Sequence, residues 1–220
     1  GRTMKLQLAL DTLPLGAAIA LCRDVVDLVD IVEIGTPLMM REGIHAVRAF
    51  RDAFPEAKIL ADTKIMDGGH LESTLMFAAG ADYVTVLGVA DPATLAACVD
   101  AARAAGGRVV ADLLCVDDLA ARGPELVALG VDVLAVHTGT DQQASDRTPL
   151  GDLRTLRAAL PDADLAVAGG ISAATIAAYV AERPAIVICG SAICDAPDPR
   201  EQAILIGRAV HADPDRGAPA

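Results

Sequence analysis

Short apolar runs recur along the chain at regular spacing, and most of them close on a charged residue, a histidine or a glycine. The runs at 6–10, 31–34, 58–62, 83–87, 108–114, 131–136, 165–168 and 185–189 have the length and the Val, Ile and Leu content of buried strands. Helical spacing of apolar positions fills 14–26, 38–54, 71–79, 93–105, 119–129, 150–160 and 199–210. A further helix is expected after Gly169-Gly170, capped by Ser172, and residues 140–148 read as a long loop. Pro14 and Pro37 mark helix starts. Eight strands alternating with eight helices predict an α/β fold, a single-domain (β/α)8 TIM barrel over residues 4–210. An open doubly wound sheet fits less well, because no GxGxxG motif follows the first strand. Gly1-Arg2-Thr3 reads as a cloning remnant before a natural start at Met4, and 211–220 as a disordered tail rich in Pro, Asp and Gly.

Composition narrows the function. Hydrophobic residues make up 53% and charged residues 22% of the 220, the balance of a globular chain. No apolar stretch approaches the roughly 20 residues of a membrane helix, and no basic segment followed by an apolar core opens the chain. Thirty acidic residues against 18 basic ones give a net charge of −12, which disfavours phosphate-backbone binding. Aromatics at 2% leave little for base stacking, so no nucleic-acid partner is expected. The five cysteines form no CxxC pair, and their odd number argues for reduced thiols and a cytoplasmic location.

In a barrel, chemistry gathers where strands end. The strand-end residues here are Asp11, Glu33, Asp62, Lys64, Asp112, His137, Gly170 and Gly190, drawn from seven strands. Alternation puts Asp62 and Lys64 on one face, with Asp67 beyond them. Glu33 and Asp62 on adjacent strands suit a hard divalent ion; the plainer reading of Glu33 is a buried salt bridge to Lys or Arg. Gly169-Gly170 and Gly190-Ser191 end the seventh and eighth strands, where barrels commonly hold phosphate; the plainer reading is tight turns. His137 is the one histidine at a strand end, and its side-chain type titrates near neutrality, as a general base must. A phosphate grip, a divalent metal, a lysine and a histidine suit proton abstraction beside the ketone of a sugar phosphate.

The stretch Ala61-Asp62-Thr63-Lys64-Ile65-Met66-Asp67 resembles the Asp-x-Lys-x-x-Asp signature of the orotidine monophosphate decarboxylase suprafamily. Within it the chain resembles the 3-hexulose-6-phosphate synthases from Met4 to about Val210. The supporting stretches are Leu6-Gln7-Leu8-Ala9-Leu10-Asp11, Val32-Glu33-Ile34-Gly35-Thr36-Pro37-Leu38, Ala79-Gly80-Ala81-Asp82-Tyr83-Val84-Thr85-Val86-Leu87-Gly88 and Asp141-Gln142-Gln143-Ala144. The resemblance implies aldol addition of formaldehyde to D-ribulose 5-phosphate, giving D-arabino-hex-3-ulose 6-phosphate. It implies Mg²⁺, with Mn²⁺ as the alternative, on Glu33 and Asp62. Lys64, Asp67, His137 and Asp62 would be catalytic. Asp11, Thr36 and Asp112 would contact the sugar, and Gly170, Gly190 and Ser191 the phosphate. It also implies a homodimer in which Asp67 acts across the interface. Nucleotide decarboxylases of the suprafamily carry Lys where this chain has Glu33. The 3-keto-L-gulonate-6-phosphate decarboxylases typically carry Glu at the position of Asp112 and Arg at that of Gly139, so they are the runner-up. Thr140 departs from the synthase pattern, which usually has a larger residue there. A non-catalytic phosphosugar-binding protein is the alternative of another class.

Overall fold

The computed structural model describes residues 3–138 and 148–212. The parallel strands are β1 (Lys5–Leu10), β2 (Ile31–Ile34), β3 (Lys58–Ile65), β4 (Tyr83–Leu87), β5 (Arg108–Asp112), β6 (Val133–His137), β7 (Leu165–Ala168) and β8 (Ile186–Cys189). Each pairs with the next in chain order and β8 pairs with β1, so the sheet closes into a barrel. Around it lie α1 (Leu15–Val25), α2 (Thr36–Glu42), α3 (His45–Ala53), α4 (Gly69–Ala79), α5 (Pro92–Ala105), α6 (Leu119–Ala128), α7 (Pro149–Ala159), α8 (Ile176–Val180), α9 (Ser191–Cys194) and α10 (Pro199–Val210). The fold is the expected (β/α)8 TIM barrel. Side chains of Asp91, Asp118, Thr148 and Asp198 accept backbone N–H groups at the starts of α5, α6, α7 and α10, satisfying donors that a helix leaves open.

Strand alternation builds two cores and positions the site. One phase faces outward: Leu8, Val32, Ile34, Ile59 and Val84 pack under the helices. The other faces the axis, where Ile31, Leu60, Tyr83, Val110, Val133, Ala135, Ala166 and Ile186 form a separate apolar cluster. Two residues further along the same inward phase come Glu33, Asp62, Thr85 and Asp112, and His137 follows Ala135 in the same way. An apolar floor thus carries a polar layer at the C-terminal ends of the strands.

Several boundaries differ from the sequence expectation. The helix expected over 38–54 is two helices, broken at Gly43 with φ 63, where a side chain would be strained. Strand β3 does not stop at Asp62 but continues to Ile65 through an irregular pairing with β4. Strand β5 ends at Asp112, and β6 runs from Val133 to His137. Ser172 is not a helix cap: its N–H donates to Thr175 Oγ1 at 3.0 Å in a turn, and α8 begins only at Ile176. Residues 1–2, 139–147 and 213–220 lie outside the described residues. With them fall the expectations for the start of the chain, most of the long loop with Gly139, Thr140 and Asp141-Gln142-Gln143-Ala144, and most of the tail.

Candidate active site

The polar layer of the barrel is one connected network. Lys64 Nζ lies 2.6 Å from Asp62 Oδ2 and 3.2 Å from Asp112 Oδ2. Asp112 in turn faces His137, whose Nδ1 is 3.2 Å from Oδ2 and 3.3 Å from Oδ1. The Leu114 N–H donates to Asp112 Oδ1 at 3.0 Å and fixes that carboxylate. Thr85 Oγ1 donates to Asp62 Oδ1 at 2.8 Å, and Thr36 Oγ1 sits 2.9 Å from Asp62 Oδ2. Asp62 and Asp112 are buried, while Lys64 and His137 keep 24% and 28% of their side-chain surface. A substrate can therefore touch the lysine and the histidine while the carboxylates hold them from behind.

The charges explain one another. Burial alone would lower the Lys64 pKa, but Asp62 and then Asp112 outweigh it and hold the amine above the ordinary lysine value, as an ammonium. Burial would raise the Asp112 pKa; the hydrogen bond and charge of His137, with Lys64 and the Leu114 N–H, hold it below the ordinary value. Glu33 differs. Burial pushes its carboxyl well above the ordinary range, the Asp62 carboxylate pushes the same way, and the Gln7 hydrogen bond at 2.7 Å opposes them. Asp11 is also raised, by burial and then by Asp62, against Lys64 and His137.

Asp11, Glu33, Asp62 and Asp112 thus surround one ammonium and one imidazole, and the buried Glu33 has an amide for a partner, not the Lys or Arg of a salt bridge. A bound cation would relieve that strain, so the residues fit a divalent ion. No three His, Cys, Asp or Glu side chains among the described residues are grouped to hold a metal. Glu33 and Asp62 would hold it, with water or substrate oxygens completing the shell, as Mg²⁺ prefers.

The Asp11 carboxyl lies against Gly35; a Cβ at 35 would come within 1.7 Å of Asp11 Oδ1. The Thr36 hydroxyl is engaged with Asp62, and Asp112 spends its oxygens on Lys64, His137 and Leu114. Gly170, with φ 64, is exposed beside open space, and Gly190 precedes α9, whose first residue Ser191 is exposed. Asp67 does not join the network within its own chain. It is exposed and accepts the Gly68 N–H at 2.8 Å. Sequence reading missed two buried members, Gln7 and Thr85. Their signal was a polar side chain at an inward position of an apolar strand.

A parallel barrel with a linked lysine, histidine and carboxylate network at its C-terminal strand ends defines a (β/α)8-barrel enzyme. A sequence profile of the orotidine 5'-phosphate decarboxylase / HUMPS family matches residues 4–206, and the chain belongs to that family. The chain is 42% identical over 200 residues to a 3-hexulose-6-phosphate synthase of Bacillus subtilis strain 168, covering 91% of this chain and 95% of that one. The solved 3-hexulose-6-phosphate synthase from Salmonella typhimurium superposes with a TM-score of 0.91 at 53% identity, over 94% of this chain and 98% of that one. A 3-keto-L-gulonate-6-phosphate decarboxylase from Vibrio cholerae has a TM-score of 0.79 at 28% identity, over 99% of this chain and all of that one.

Proposed function

We propose that this chain catalyses the aldol addition of formaldehyde to D-ribulose 5-phosphate, giving D-arabino-hex-3-ulose 6-phosphate. The observation that carries the reading is the Lys64 ammonium between Asp62 and Asp112, with His137 on the same Asp112. It is a proton-transfer set beside a site for an anionic intermediate. The names of the relatives at 42% and 53% identity point to the synthase, against 28% for the decarboxylase relative.

In the proposed reaction the C1 proton of ribulose 5-phosphate leaves to a base, and the electrons pass to the C2 carbonyl as an enediolate. C1 then attacks formaldehyde, a carbon–carbon bond forms, and the aldehyde oxygen takes a proton. With Nδ1 of His137 turned to Asp112, Nε2 is the nitrogen free to exchange that proton. Lys64, held charged, donates to the developing enediolate oxygen. Glu33 and Asp62 would hold a Mg²⁺ ion, which would supply further positive charge to stabilise the enediolate. Asp11 and Thr36 line the sugar side, and backbone N–H groups at Gly170, Gly190 and Ser191 take the phosphate.

We extend the reading to a cytoplasmic homodimer in which Asp67 reaches its partner's site. Asp67 is exposed and bonds to the Gly68 N–H, and Met66, Leu71 and Leu75, close to it in sequence, keep 52%, 66% and 46% of their surface exposed. Among the described residues no helix is long and apolar enough to cross a membrane.

The test follows formaldehyde consumption with ribulose 5-phosphate and Mg²⁺, with and without chelator, and in parallel CO₂ release from 3-keto-L-gulonate 6-phosphate. Formaldehyde consumption that needs both the sugar phosphate and the metal supports the synthase. CO₂ release in its place assigns the decarboxylase. Tight sugar-phosphate binding with neither reaction would leave a binding protein.

A further inference from the structure

Strand β4 is the one strand to which sequence patterning assigns no site residue, yet its Thr85 is buried at the centre of the network. The pairing of β3 with β4 slips there: Ala61 pairs with Val84 and Ile65 with Val86, so Asp62, Thr63 and Lys64 lie opposite Thr85 alone. All three bond to it. Thr63 Oγ1 donates to the Thr85 carbonyl at 2.7 Å, and the Lys64 N–H donates to Thr85 Oγ1 at 2.9 Å. The same Thr85 hydroxyl donates to Asp62 Oδ1 at 2.8 Å. Lys64 has φ 46, a left-handed conformation that side-chain-bearing residues seldom adopt. Something must hold it there, and the Thr85 hydroxyl, with one proton given and one lone pair used, ties the lysine backbone to the Asp62 carboxylate.

We propose that Thr85 is a positioning residue: its hydroxyl fixes the bulge that carries Lys64 and orients Asp62, so that the ammonium is held between Asp62 and Asp112. The inference rests on the aldol reading for its kinetic arm. If Thr85 served only as strand filler, valine would replace it, because Val84 and Val86 flank it in the same strand and valine has its shape. Valine would leave the Lys64 N–H and Asp62 Oδ1 without the hydroxyl that links them. The ammonium would then be free to shift, and small displacements of a reacting group are costly.

The experiment compares Thr85→Val with Thr85→Ser in the full-length protein, reading kcat, KM, melting temperature and hydrogen exchange of the Lys64 amide by NMR. Valine is expected to lower kcat about 10- to 100-fold, with KM within about threefold of wild type. Serine should restore kcat to within about threefold, since it keeps the hydroxyl. Lys64 amide protection should fall in the valine variant and persist in the serine variant. If valine unfolds the barrel, Thr85→Ala against Thr85→Ser gives the same contrast, because the two differ only in the hydroxyl. A hydroxyl-free variant with wild-type kcat, a serine variant as slow as it, or unchanged Lys64 protection overturns the proposal. Wild-type protein that turns over nothing refutes the aldol reading instead, and the exchange arm then decides the positioning by itself.

Discussion

Glu33→Gln should remove the contribution that Glu33 makes to the pH dependence of stability in the metal-free protein. Glu33 is buried on β2, its Oε2 accepts the Gln7 amide, and its carboxyl is held well above the ordinary range by burial and by Asp62. The sign follows from proton counts. Above the unfolded pKa near 4.5 and below the raised folded value, the native state keeps a proton that the unfolded chain has lost. The Glu33 contribution to stability is then greatest below the unfolded pKa and falls as the pH rises towards the folded value. One proton gives a slope of at most about 1.4 kcal/mol per pH unit. Within that window each pH unit shifts the melting temperature by at most roughly 3–6 °C for a domain of this size. Denaturation in chelator from pH 5 to pH 7, wild type against Glu33→Gln, reads the Glu33 contribution as the difference between the two curves. Wild type should lose stability relative to the variant as the pH rises, and Mg²⁺ should flatten the difference by favouring ionised Glu33. Parallel curves for the two proteins would show that Glu33 keeps its charge unaided, and the argument for a cation would fall.

His137→Ala should slow exchange of the substrate C1 proton by about 10²–10⁴-fold while leaving binding nearly intact; an unchanged exchange rate with a raised KM shows that His137 only binds. Ribulose without its phosphate should be a very poor substrate if Gly170, Gly190 and Ser191 form the anion site, and equal kcat/KM for the two sugars removes that assignment. Lys64→Ala and Asp67→Ala should each be nearly inactive. Refolded together, they should recover roughly a quarter of wild-type activity, because half the dimers are mixed and each mixed dimer has one intact site. Mixed dimers seen by native mass spectrometry without activity would place Asp67 in its own subunit's site.

Much of this arrangement is legible in the sequence because a parallel barrel repeats one simple rule. Apolar runs ending in Asp11, Glu33, Asp62, Asp112 and His137 mark strands whose inward phase turns polar at one end, and the closed sheet brings those ends together. Thr85 and Gln7 escape that reading for a physical reason. Threonine is an ordinary strand residue, and the role of Thr85 comes from a register slip that only pairing with β3 reveals. Gln7 pairs with Ile31, one layer below Glu33, and matters only because its amide donates to the Glu33 carboxyl. The break at Gly43 is hidden because apolar spacing continues through Leu38, Val47 and Phe50 on both sides of it. The engagement of Thr36 and Asp112 within the network likewise depends on distances between elements apart in sequence, α2 to β3 and β3 to β5.

The most direct test of the aldol reading uses ¹³C-formaldehyde with unlabelled ribulose 5-phosphate and Mg²⁺, followed by NMR. The label should appear at C1 of a hex-3-ulose 6-phosphate with the wild-type protein and not with Lys64→Ala. Label that stays in formaldehyde hydrate with the wild-type protein would contradict the account.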